Sequence, residues 1–97
     1  MPSYRGSPHN GKSIIFPRLE SWNPVSNTGT VAVQVDKKRV LCRISLAILQ
    51  KKFQATLENP LQAMKDNRLA IETAIKQLVE NGSYQLDGSI VIRASDL

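Results

Sequence analysis

Two stretches that share one turn constrain this chain more than any other feature. In "TVAVQV", residues 30–35, Val31, Val33 and Val35 alternate with Ala32 and Gln34. In "RVLCRI", residues 39–44, Val40, Cys42 and Ile44 alternate with Leu41 and Arg43. Successive side chains of a strand point to opposite faces, so each stretch reads as a strand with one buried side. A two-residue turn at Asp36-Lys37 pairs Val35 with Lys38, Val33 with Val40 and Val31 with Cys42. That register gathers the valines, Cys42 and Ile44 on one face and leaves Gln34, Arg39, Leu41 and Arg43 on the other. A hairpin with one apolar face needs a cover.

The cover comes from downstream. Ser45 is placed as the N-cap of a helix over about 46–53, where Leu46, Leu49 and Phe53 share a face. Asn59-Pro60 signals a second helix over about 60–81, with Asn as cap, Pro in the first turn and Gly82 past the end. Met64, Ile71, Ile75 and Leu78 fall on one arc of it, with Leu61 and Val79 at the edge. Upstream, "SIIF" (13–16) reads as a short strand stopped by Pro17, and "RLESWNPVSNTG" (18–29) as a loop. At the other end "SYQL", Asp87-Gly88 and "SIVIR" read as a second hairpin. The expected fold is α+β: a single two-layer domain over 13–97. Its sheet is mainly antiparallel, built from two hairpins plus a short N-terminal strand, with both helices packed on one face. Residues 1–12, rich in Ser, Pro, Gly and Asn, are expected to form a flexible extension. Ninety-seven residues suit one hydrophobic core.

Charge is unevenly distributed. Residues 1–53 carry nine Lys or Arg against two acids, whereas 54–97 carry four against six. Lys37, Lys38 and Arg39 fall at the hairpin tip, with Arg43 on the same outer face as Arg39. These four are the candidate contacts for a nucleic acid, gripped through phosphates with little sequence selectivity. Only five aromatics are present, and none is expected on that face to stack bases. Solvated charges that protect a sheet edge account for the same residues.

Few residues suggest chemistry. One Cys and one His, Cys42 and His9, match no metal-ligand spacing, so no metal is expected. No glycine loop suited to phosphates appears, and no cofactor is expected. Cys42 lies on the inward face, where free cysteine packs as a small hydrophobe. No catalytic residue is assigned, and an enzyme is the least expected class. The start of the chain has no signal-peptide pattern and the apolar runs are too short for a membrane span, so a cytoplasmic protein is expected.

One residue resists the bland reading. Arg68 stands at the margin of the apolar stripe of the second helix. It can lay its methylenes on apolar surface and pair with Glu72 four residues on, or with Glu20 near Trp22. The competing reading makes Trp22 and Arg68 the rim of a ligand or partner site. Leu41 and Leu69, expected to be exposed, are further candidates for contact with a protein partner or a second copy.

Several pieces, taken in order, resemble a family of short bacterial proteins, domain of unknown function 1488. They are "FPRLESWNP", the valine hairpin, "CRISLAIL", "NPLQAMKDNRLAIETAIKQLVENGSY" and "DGSIVIRASDL". The resemblance covers residues 13–97 and implies a small α+β domain, with no reaction, cofactor or partner attached. Its members commonly carry Asp-Gly at the first hairpin turn. Lysine disfavours positive φ, so Asp36-Lys37 sets a longer or different turn against the two-residue one. The Ser/Pro/Gly-rich segment at the start exceeds the usual family length.

Overall fold

The computed structural model describes residues 13–97; the expected extension over 1–12, with His9, lies outside them. The centre of the fold is the predicted hairpin, β3 (Thr28–Val35) and β4 (Lys38–Ser45), paired antiparallel in the register Val35↔Lys38, Val33↔Val40, Val31↔Cys42. The turn keeps two residues, and both Asp36 (φ 51°) and Lys37 (φ 71°) adopt the left-handed conformation. The strand register therefore overrides lysine's backbone preference. Replacing Lys37 with glycine is expected to raise stability by about 0.5–1 kcal/mol, because glycine holds positive φ without a Cβ clash. Chemical denaturation of the two forms measures it.

Two strands pair with the far edge of β3. β1 (Ile14–Ile15) lies against Val35 and Gln34, and β2 (Glu20–Asn23) against Val31 to Thr28. The presence of β2 corrects the expected loop over 18–29. Its polar sequence "ESWN" shows no apolar alternation, yet its residues at 20 and 22 stand opposite core positions.

Helix α1 (Leu46–Phe53) starts as expected, with the Ser45 side chain accepting a hydrogen bond from the Ile48 N–H. The single helix over 60–81 is corrected to two, α2 (Pro60–Asp66) and α3 (Arg68–Glu80). Asn67 breaks them apart. Its φ is −114°, and both its backbone N–H and its side-chain Nδ2 donate to the Ala63 carbonyl. Asparagine favours such local bonds over helix continuation. Helix α3 ends in a Schellman motif, Gly82 N–H to Val79 O and Ser83 N–H to Leu78 O, with Gly82 at φ 68°.

The second hairpin is also corrected. Residues 83–86 form no strand, and Leu86 projects fully into solvent. The chain turns at Gly88 and enters β5 (Ile90–Val91), which pairs with β4 in parallel, Cys42↔Ile90 and Arg43↔Val91. Three helices between β4 and β5 form the crossover that parallel pairing requires. The Asp-Gly signal was real as a turn, but Tyr84 and Leu86, the alternating apolar residues of "SYQL", both stay exposed, so that segment joins neither the core nor the sheet. The strand order is β1-β3-β4-β5, with β2 also on β3. A short 3-10 turn (Ala94–Asp96) follows.

The core fills the space between one sheet face and the helices. Val31, Val33, Val35, Val40, Cys42 and Ile44 meet Leu49, Met64, Ile71, Ala74, Ile75 and Val79, with Ile90 and Ile92 completing it.

Candidate functional site

Arg68 begins α3, one residue after the Asn67 break, and reaches β2. Its Nη1 donates to Glu20 Oε2 at 2.9 Å, and its Nε lies 2.6 Å from Glu72 Oε2. The side chains are only 18% (Arg68), 9% (Glu20) and 18% (Glu72) exposed. Both anticipated acids are thus partners. The guanidinium is nevertheless not fully bonded. Nε–H is close to Glu72 but does not align as a hydrogen bond, and the buried Nη2 has no partner among the described residues. Trp22 is half-buried on the same face of β2 as Glu20, since Glu20 stands opposite Val31 and Trp22 opposite Gly29. The two residues of the proposed rim, Trp22 and Arg68, therefore belong to one seam between β2 and the helices. Glu20 occupies the Nη1 donor of the arginine.

The four basic candidates separate into two kinds. Lys37, Lys38 and Arg39 are exposed around the hairpin tip. Arg43 is half-buried and engaged: its Nη1 donates to Ser89 Oγ at 3.0 Å and lies 3.7 Å from Asp87 Oδ2. Asp87 Oδ1 accepts from the Ser89 N–H (2.9 Å) and from Ser89 Oγ (2.6 Å). These two bonds from Ser89, helped by Arg43, hold the Asp87 carboxyl below its ordinary pKa. A depressed folded-state pKa gives stability that is present above the unfolded value, about 3.9, and lost as pH falls through the folded value. The Asp87 carboxyl, followed by NMR, is expected to titrate below 3.8, with the Ser89 amide shifting in step. A midpoint at the ordinary value would mean that the loop is not held this way. Ser89 is buried and escaped the sequence reading, because only the parallel placement of β5 brings it to Arg43.

The helices cover one sheet face; among the described residues no element covers the other. Directly opposed residues share a face, so Ser21, Thr30, Arg43 and Val91 form one row across it, and Ile15, Gln34 and Arg39 another. Between them runs an apolar row. Leu41 stands opposite Ala32, whose N–H donates to the Leu19 carbonyl at 2.9 Å, which places Leu19 just beyond Ala32. Ile15, Leu19, Leu41 and Val91 are all exposed. Leu41 was expected there. Ile15, Leu19 and Val91 were not, since their positions depend on sheet order and not on local pattern. Leu69 is exposed on α3, as expected.

Cys42 is wholly buried, and burial pushes its thiol pKa up to about 12, so it remains a protonated core residue at neutral pH. Among the described residues, no three His, Cys, Asp or Glu side chains converge as metal ligands would, and no helix is long and apolar enough to cross a membrane.

These features define the class: a small α+β domain with a five-stranded, mostly antiparallel sheet and three helices. The chain belongs to the family described as "Protein of unknown function (DUF1488)", whose sequence pattern matches residues 14–92. The same fold is seen in a crystal structure of a DUF1488-family protein of unknown function from Shewanella loihica PV-4. That structure is 22% identical, with a TM-score of 0.74 over 82% of this chain and 91% of the other. No curated protein matches the chain.

Proposed function

We propose that this chain is an accessory protein that acts by binding a partner protein on its open sheet face, without a reaction of its own. The observation that supports this most is the pair of exposed leucines, Leu19 and Leu41, on either side of the buried Ala32, with the exposed Ile15 and Val91 beside them. An antiparallel sheet face that meets only water ordinarily alternates to polar residues. Apolar residues grouped on an open face, rimmed by polar ones, suit association. A photo-crosslinking residue at position 41, compared in cells with one at exposed position 80, tests the reading. A discrete adduct from position 41 alone, abolished by Ala32→Arg in a protein that stays folded, is expected. Equal adducts from both positions, or an adduct indifferent to Ala32→Arg, would sink it.

A second reading, weak nonspecific nucleic-acid binding, is favoured by the exposure of Lys37, Lys38 and Arg39. It requires affinity for mixed DNA or RNA that falls steeply with salt and with replacement of the three by alanine. No binding at low salt removes it.

A further inference from the structure

We infer that the edge of β4 beside the hairpin tip accepts a short acidic segment of another protein as an added strand, an inference that rests on the protein-binding reading above. Along an antiparallel strand, backbone groups point alternately to one neighbour and the other. The Arg43 carbonyl accepts from the Ile92 N–H at 2.8 Å, so residue 43, and with it 41 and 39, turns its backbone away from β3. Pairing with β5 is confined to Cys42↔Ile90 and Arg43↔Val91. The N–H of Leu41 and both backbone groups of Arg39 therefore face a line on which no strand lies among the described residues.

The reason is local. Just before β5 the chain turns away through Asp87-Gly88-Ser89, and the Asp87–Ser89–Arg43 bonds hold it there. A groove opens between this loop and the edge. One part, about 270 Å³, is bounded by Arg39, Leu41, Arg43 and Ser89, and the other, about 410 Å³, extends from Lys38 to Tyr84. Both parts share Arg39, Val40, Asp87 and Gly88, which makes them one channel along β4.

Two arguments select the occupant. Backbone donors and acceptors at strand spacing are matched by another extended backbone. The surrounding charge is net positive: Lys38, Arg39 and Arg43 line the groove against two acids, of which Asp36 accepts from the Ser13 N–H and Asp87 is bonded to Ser89 and close to Arg43. A second copy added at this edge would set these same cations against each other, which destabilises strand pairing. A nucleic acid would neutralise the cations yet leave the Arg39 and Leu41 backbone unmatched, and among the described residues only Tyr84 lines the groove to stack a base. The fitting segment alternates acidic residues, facing Arg39, with apolar ones, facing Val40 and Tyr84.

The test uses a short peptide of alternating glutamate and valine, its lysine-valine counterpart, its fully N-methylated form, and a single-stranded oligonucleotide. In amide NMR spectra the glutamate peptide is expected to shift the Arg39 and Leu41 signals and to slow their hydrogen exchange. N-methylation is expected to weaken binding about tenfold or more, through the lost backbone bonds. The pair Lys38→Glu and Arg39→Glu should invert the preference toward the lysine peptide. Equal binding of the N-methylated peptide, undisturbed Arg39 and Leu41 amides, or the same pattern from the oligonucleotide would overturn the inference. If position 41 crosslinks to a partner while the glutamate peptide fails to bind, the edge inference falls and the open-face reading stands. If the peptide pairs at the edge while crosslinking fails, the open-face row is not the contact and the edge is.

Discussion

Replacing Arg68 with alanine is expected to lower the unfolding free energy by about 2–4 kcal/mol, somewhat less than breaking a fully buried ion pair. The loss is only partly that of an attraction. Glu20 is 9% exposed and receives Nη1 of Arg68 at 2.9 Å, so truncation strands a carboxylate that water cannot easily reach. Glu72, 18% exposed, loses the same partner. Urea denaturation of Arg68→Ala, Glu20→Gln and the double variant separates the contributions. Because glutamine carries no charge to strand, the double variant should recover about 1–3 kcal/mol relative to the sum of the single changes. An Arg68→Ala protein as stable as the parent would show that the guanidinium does not hold β2 to α3, and would restore Arg68 as a ligand contact. The unpartnered Nη2 does not favour that alternative, since the atom is buried. Its missing bond is a cost the seam carries, not a donor offered to solvent.

The same residues mark how far the sequence could be read. The hairpin was legible because two alternating runs had to agree on one register, and that register is stringent enough to force Lys37 to φ 71°. Helix α1 was legible from Ser45 and its apolar spacing. β2 was hidden for a specific reason: one of its two inward residues is a glutamate, which reads as surface until its cation is known to arrive from 48 positions away. The break at Asn67 was hidden because an asparagine within a helical pattern is common, and its side-chain bond to Ala63 O is not a matter of periodicity. The parallel placement of β5 was beyond local pattern altogether. "SIVIR" shows that a strand exists, but only packing decides which strand it joins, and Ile90 and Ile92 are both wholly buried against the edge of β4. That outcome carried Ser89 to Arg43 and left Arg39 uncovered, so the features of most functional interest followed from the least legible step. Arg68 was singled out correctly as a residue needing partners, and both partners named for it are present.

Gly29→Ala is expected to destabilise the protein by about 1–3 kcal/mol, and Gly29→Val by more. Read locally, Gly29 belongs to turn chemistry; in the fold it is an inner-facing residue of β3, paired with Ile44 and with Trp22. An added Cβ would overlap Met64 Sδ, come within 2.8 Å of Met64 Cε and lie 3.3 Å from Trp22 Cε3. The thioether is flexible, but Met64 is 2% exposed and has little open space to enter. The sign of the effect is the informative part. In a strand with room for a side chain, alanine is better than glycine by roughly 0.5–1 kcal/mol, so a neutral or stabilising Gly29→Ala would refute the close approach. Met64→Ala supplies the control. Alone it should cost about 2–5 kcal/mol as a core truncation, whereas Gly29→Ala placed on top of it should cost little or nothing, because the obstructing atoms are gone. The consequence extends to the ion pair. Met64 is how α2 rests on β2 and β3, and α3 starts only two residues after α2 ends, so displacing Met64 displaces the helix start that carries Arg68. In a folded Gly29→Val protein the penalty of Arg68→Ala should therefore be smaller than in the parent. Equal penalties in the two backgrounds would show that the glycine and the arginine act independently.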